Sequence, residues 1–370
     1  GKTSGNLPIH LVKIGYPKPP SVKQAASSQT ILFICSQHGN EPAGREACLR
    51  LLRDLAFTDD KDLIGQLSKQ TILFIPNANP DGREQNTREN AEGIDINRDH
   101  LNLQTTEAQL MAEVVREWRP DLVQDHHEYG PSTPVVYDDE ILYLWPRNLN
   151  VDEKVHDLAY ELANDYIEPQ SEEAGYTADE YGQYEVGDQN LQQTAGDEDE
   201  GIMRNAMGLR HSLGILIESA VSPEPRNGPG EVTTAAEVNL RRVESQYVVA
   251  NISLAFMRER GDEVEAATEA SIKNAPIEGD KRSEPVYFYG ADNEEPAEDE
   301  MQDPPPCGYV LTSKDAADLR ATLKLHGIQA SARGKEVYVS MAQSAESLIP
   351  LLLDERARRH AVAAEPVTEC

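Results

Sequence analysis

His38 and Glu41 stand three residues apart in the stretch His38-Gly39-Asn40-Glu41, directly after a short apolar run. An H-x-x-E spacing at a strand-to-helix turn lets one imidazole and one carboxylate converge on a metal ion. The same pair also suits a surface histidine beside a glutamate that complements a helix dipole. Asp125-His126-His127-Glu128 closes a later apolar run. Side chains alternate along a strand, so only one of these two histidines faces a shared site. Joined with His38 and Glu41, it supplies two nitrogens and one oxygen. That is the three-protein-ligand set of a catalytic zinc whose fourth position is open to water. Harder ions want more carboxylates, so zinc fits best, at one ion per chain.

Two further groups carry chemistry. Asn79-Pro80-Asp81-Gly82 is followed by Arg88 and by Asp95-Ile96-Asn97-Arg98. Arginines in loops beside a metal suit carboxylate and polarised carbonyl oxygens, which guanidinium binds bidentately. In an acidic chain they equally suit the neutralising of nearby acids. Glu218 ends the apolar run Leu213–Ile217. Aimed at a metal-bound water it acts as a general base; aimed elsewhere it is an ordinary strand-end carboxylate.

Such groups need a frame that gathers the ends of several strands. Gln29–Cys35, Thr71–Pro76, Asp121–His126, Ile141–Trp145 and Leu213–Glu218 read as strands, most of them apolar on both faces. Glu41–Leu55, Thr105–Trp118, Asp152–Tyr166 and Val232–Met257 carry helical spacing. The alternation predicts an α/β fold, a sandwich around a mostly parallel sheet, with chemistry at the strand ends. Gln170–Glu200 reads as a long irregular segment, either disordered or a binding loop. The predicted organisation is a catalytic domain over residues 1–258, an acidic, proline-containing linker or surface excursion over 259–306, and a small α/β unit over 307–370.

Composition narrows the class. The 370 residues hold 65 acidic and 34 basic side chains, a formal charge of −31. Phosphates would be repelled, which argues against nucleic acid or an anionic membrane as partner. No run approaches the ~18 apolar residues of a membrane-spanning helix. Four cysteines are too few for a disulfide scaffold. Cys307 and Cys370 read either as a staple of the C-terminus or as two free thiols, and Cys35 as a small buried core residue. The chain starts at Gly1, which fits a tag remnant or a removed leader. Its acidity favours a secreted or periplasmic location and leaves the cytoplasm open. Nothing in the pattern bears on oligomeric state.

The ordered set of motifs resembles the zinc metallocarboxypeptidase family of the carboxypeptidase A type, over roughly Thr30 to Met257. The resemblance implies a three-layer α/β/α sandwich and hydrolysis of the C-terminal bond of peptides bearing a free carboxylate. It implies that His38, Glu41 and His127 bind zinc, His127 being chosen because Asp125-His126-His127 matches the family's D-x-H. Asp95 would orient a ligand histidine. Arg88 would polarise the scissile carbonyl, Asn97 and Arg98 would hold the terminal carboxylate, and Glu218 would take the proton of a zinc-activated water. The chain departs from the family in lacking a tyrosine over Gln192–Asn205, leaving Tyr176, Tyr181, Tyr184 or the pair Arg204-Asn205 as substitutes. No activation pro-domain is expected ahead of the catalytic region. Gln37–Glu41 also resembles the succinylglutamate desuccinylase and aspartoacylase branch, deacylases of N-acyl amino acids, and a murein-peptide amidase would use the same constellation. A catalytically silent peptide receptor is disfavoured because it would not need Glu218.

Overall fold

The computed structural model describes residues 1–130, 137, 139–186, 189–192, 197–221 and 234–370. Seven strands form one sheet: β1 (Val12–Ile14), β2 (Gln29–Cys35), β3 (Gln70–Ile75), β4 (Leu122–Tyr129), β5 (Ile141–Leu144), β6 (Ala178–Glu180) and β7 (Leu213–Ala220). Their order is β1-β3-β2-β4-β7-β5-β6. The central four are parallel, while β1 and β5 join antiparallel to their inner neighbours. Side chains along β2 alternate between two buried clusters. Ile31, Phe33 and Cys35 face one cluster; Leu32 and Ile34 face the other. Helix α1 (Ala43–Ala56) covers the first face through Cys48, Leu51 and Leu55, and α2 (Thr106–Trp118) covers the second through Ala108, Met111 and Val115. Burial on both faces is why these strands are apolar throughout rather than alternating. The result is the expected sandwich of helix, sheet and helix.

Four expectations shift. The third predicted strand does not stop at His126. β4 runs on to Tyr129 because β7 pairs with it as far as Ala220, which sets His127 inside the ladder opposite Glu218. Gln170–Glu200 is not irregular throughout: α3 (Glu153–Glu161) passes through a wider turn over Leu162–Ile167 into a helix ending at Glu173, and β6 then joins the sheet. The last predicted helix is much longer, for α4 spans Ala235–Lys281, although its expected start at Val232 lies outside the described residues. It therefore crosses the first half of the segment read as a linker. The small residues Ala267, Ser271, Ala275 and Gly279 lie buried along it at helical spacing, so an apparently loose composition is a tightly packed seam. Finally, Cys35 is buried as expected but is bonded to Cys48 of α1.

The C-terminal unit is an antiparallel sheet of β8 (Gly308–Thr312), β9 (Ser331–Arg333), β10 (Glu336–Ser340) and β11 (Glu365–Val367), in the order β9-β10-β8-β11. Cys307 and Cys370 are bonded, closing the end of the chain onto the start of β8. Tyr309, Val339 and Leu348–Leu353 belong to the same buried cluster as Phe33 and Phe256. The unit thus shares the main core.

α1 approaches the sheet closely at one point. A Cβ on Gly44 would fall 2.6 Å from the Cβ of His126. Gly44→Ala is expected to destabilise the chain by about 1–3 kcal/mol through overpacking. Urea unfolding checks it, and an unchanged midpoint would contradict this close approach.

Candidate active site

His38 sits in the turn between β2 and α1, and the turn is held from below. The Asn79 amide donates to the carbonyls of Gln37 (3.0 Å) and Glu89 (3.1 Å), while its oxygen accepts from Gly82 N (2.9 Å). A Cβ on Gly39 would lie 2.0 Å from the Gly82 carbonyl carbon, so only glycine lets the two loops pass this close. The Asn-Pro-Asp-Gly motif is therefore a splint that fixes His38 and starts the loop carrying Arg88.

Three donors then meet in one small buried volume. His38 Nδ1 lies 2.8 Å from Glu41 Oε1, His127 Nδ1 lies 3.0 Å from Glu41 Oε2, and the two Nδ1 atoms are 3.0 Å apart. The outer nitrogens are held by carboxylates: His38 Nε2 lies 3.1 Å from Asp95 Oδ1, and His127 Nε2 lies 2.7 Å from Asp125 Oδ2. Each aspartate fixes a tautomer and turns the Nδ1 lone pair inward, as carboxylates behind metal-binding histidines do. Arg88 Nη1 reaches within 3.1 Å of His38 Nδ1, consistent with an unprotonated acceptor there. Two inward lone pairs plus a carboxylate suit zinc.

The charges agree with this packing. Burial alone would raise the Glu41 carboxyl, but His38 and His127 outweigh it and bring it down to about 2. Burial likewise opposes the charged form of His127, yet Asp125 and Glu41 hold its pKa well above the ordinary imidazole value. Asp95 is also held below its usual range, against burial, by His38 and by Arg88 and Arg98. A second cluster, Cys35, Cys48 and His126, gathers on the other face of the sheet. Its sulfurs are bonded to each other and so offer no thiolates. His126 points away from the first cluster, with Nδ1 2.5 Å from Gln246 Oε1.

Glu218 lies directly across from His127 on the neighbouring strand, so the pleat turns both side chains to one face. Burial raises its carboxyl to about 8, with Glu41 and Asp125 adding to the rise and His127 and Arg88 opposing it. Arg88 binds Asp95 through Nε (2.9 Å) and Nη2 (2.8 Å). Arg98 Nη1 donates to the Asn97 carbonyl (2.7 Å). The Asn97 amide is buried, with Nδ2 3.1 Å from His127 Nε2 and Oδ1 accepting from Met203 N at 2.8 Å. Of the tyrosines considered, Tyr181 stands among the charged groups of the site. Burial and then the charge of Glu218 push its hydroxyl up to about 12, while Arg204, Arg98 and Arg88 pull the other way. Tyr176 instead packs under Arg241 of α4, and the side chain of Tyr184 lies outside the described residues. Arg204 and Asn205 face inward: Arg204 Nε donates to the Trp145 carbonyl (3.2 Å), and the Asn205 amide donates to Asp197 and Asp199 carbonyls.

Sequence reasoning did not assign a role to the support behind His127. Gln37 Nε2 donates to Asp125 Oδ2 (2.6 Å), and His100 Nε2 lies 2.7 Å from Gln37 Oε1. The period of two was the available signal, since it sets Asp125 and His127 on one face.

The sequence model of zinc carboxypeptidases matches residues 1–186. The chain belongs to the zinc carboxypeptidase family. Carboxypeptidase 2 of Trichophyton equinum is 34% identical over 189 residues, covering 49% of this chain and 35% of that protein. The chain thus spans about a third of the length of such relatives. Two solved structures share the fold: a metallo-carboxypeptidase from Pseudomonas aeruginosa (TM-score 0.52, 19% identity, 71% of this chain and 64% of that one) and a putative carboxypeptidase A from Shewanella denitrificans (TM-score 0.53, 20% identity, 71% and 63%).

Two outcomes follow for metal loading. Asp125 and Glu41 raise the pKa of metal-free His127 against burial, so a proton competes with zinc for its Nδ1 and zinc affinity rises with pH. Calorimetry in buffers of different ionisation enthalpy should read proton release on zinc binding, and none would contradict this. Asp125→Asn should weaken zinc binding about 10–100-fold in chelator competition; an unchanged affinity would remove Asp125 from the support.

Proposed function

We propose that the chain is a zinc metallocarboxypeptidase that removes residues from the C-terminus of peptides with a free terminal carboxylate. One observation carries the reading: Glu218 lies in register with His127, and its carboxyl senses the charges of His127, Glu41 and Arg88. His38, Glu41 and His127 would hold the zinc. When bound, zinc polarises the scissile carbonyl and brings the pKa of a water down toward ~7.

The chain's own residues supply the rest. Glu218, buried opposite His127, accepts the proton of the attacking water and returns it to the leaving amine. Arg88, partly exposed and tethered by Asp95, presents a fixed positive charge to the oxygen on which negative charge develops. Arg98 binds the terminal carboxylate, which restricts cleavage to the last peptide bond. Asn97 supports that step by holding the turn against Met203, and Tyr181 lies among the same charged groups.

No described helix is long and apolar enough to cross a membrane. The two bonded cysteine pairs support a secreted or periplasmic setting, where disulfides persist.

Mass spectrometry of peptides incubated with the zinc-loaded chain tests the reaction. The expected result is a ladder losing one C-terminal residue at a time, with C-terminally amidated peptides spared. Glu218→Gln should lose about 10²-fold or more in kcat while keeping its zinc, and a rate near that of the parent would remove Glu218 as base. Arg98→Ala should raise KM for free-carboxylate peptides about tenfold or more. An equal effect on amidated peptides would contradict carboxylate recognition.

A further inference from the structure

The segment Arg98–Asn102 begins with the arginine read as the carboxylate binder, and it is gripped from two directions. Its upstream side is held near the catalytic cluster. Asp95 Oδ1 accepts from Asn97 N at 2.9 Å, and Asn97 Oδ1 accepts from Met203 N at 2.8 Å. Its downstream side is held by the C-terminal unit, through three backbone carbonyls. Arg359 Nη1 donates to the Arg98 carbonyl at 3.2 Å, His326 Nε2 to that of Leu101 at 2.6 Å, and Thr322 Oγ1 to that of Asn102 at 3.3 Å. The Asn102 amide returns a bond to the Arg359 carbonyl at 2.9 Å.

Each donor is fixed in turn. Thr322 and His326 are both buried on one short helix, α5 (Arg320–His326), at a spacing of one turn that sets them on the same face. Arg210 Nη2 donates to His326 Nδ1 at 2.6 Å, which leaves the ring proton on Nε2 for Leu101. Arg359 forks onto Asp199, with Nε and Nη2 each 2.5 Å from a carboxylate oxygen, and its own N donates to Glu200 Oε1 at 3.1 Å. A forked guanidinium has little freedom left, so Nη1 meets the Arg98 carbonyl from a set direction. Gly201 shows how closely these pieces fit. A Cβ there would lie 2.6 Å from the Arg98 carbonyl oxygen and 2.6 Å from Arg359 Nε. The carbonyl and the side-chain stem of Arg98 branch from one Cα, so fixing the carbonyl constrains how the stem leaves the turn.

We propose that the C-terminal unit completes the substrate-carboxylate site, with Arg359 and His326 as positioning residues that aim Arg98. Neither touches substrate; both act through the backbone of Arg98–Asn102. The proposal rests on the reading of Arg98 as the group that binds the terminal carboxylate, and adds that this recognition is built by two distant parts of the chain.

Titration calorimetry on the zinc-loaded Glu218→Gln chain, which should bind peptides without turning them over, tests the proposal. The probes are N-acetylated tripeptides varied in the last residue, each as free acid and as amide. The readout is the ratio of the two dissociation constants. A preference for the free acid is expected, and Arg98→Ala should abolish it. Arg359→Met should cut the preference about fivefold or more without weakening the amide, and should have no further effect once Arg98 is replaced by Ala. His326→Leu should also cut it, while His326→Gln, which keeps a donor toward Leu101, should restore it. That pair holds the test open if Arg359→Met fails to fold. Acid and amide weakened alike would show a merely structural role and contradict the proposal. A preference untouched by both Arg359→Met and His326→Leu would overturn the positioning role alone. No preference in the parent, or one that survives Arg98→Ala, would overturn the carboxylate reading and the proposal with it.

Discussion

Two imidazole nitrogens 3.0 Å apart, each within 3.0 Å of the same carboxylate, are an unfavourable arrangement unless their orientation is enforced from behind. Asp95 and Asp125 supply that enforcement by holding the outer nitrogens of His38 and His127. Each aspartate is itself fixed. Asp95 accepts from Asn97 N at 2.9 Å and from Arg88, and Asp125 accepts from Gln37 at 2.6 Å. The proposed zinc site is thus the visible end of a buried polar network.

The frame explains why these residues can be so far apart in the chain. β2 and β4 lie side by side in a parallel sheet, so their carboxyl ends release the His38 turn and present His127 at one edge. β7 then adds Glu218 from the next position. The C-terminal unit reaches the same region through Arg359, which binds Asp199 and donates to the Arg98 carbonyl at 3.2 Å. The unit therefore buttresses the turn that carries Arg98.

Much of this was legible in the sequence. The strand Gln29–Cys35 is bounded as read, and His38, Glu41, Arg88, Asp95, His127 and Glu218 do gather in one place, because motif residues at strand ends converge in a parallel sheet. What escaped had physical causes. The end of β4 was misplaced because Glu128 and Tyr129 look like loop residues until β7 is known to pair with them. The long helix is cut short in the sequence reading because the acidic, proline-containing composition of 259–306 suggests a linker, whereas Gly261 and Gly279 are small so that the sheet and C-terminal unit can approach; a Cβ on Gly279 would lie 2.2 Å from the Met341 carbonyl oxygen. Arg210 and His326 carried no signal, since their pairing spans 116 residues and depends wholly on tertiary packing.

Anomalous X-ray scattering at the zinc edge, from crystals of the zinc-loaded chain, tests the central claim most directly. A single strong peak between His38 Nδ1, His127 Nδ1 and the Glu41 carboxylate is the predicted result. A peak elsewhere, such as beside Cys35, Cys48 and His126, or none between these three donors, would contradict it.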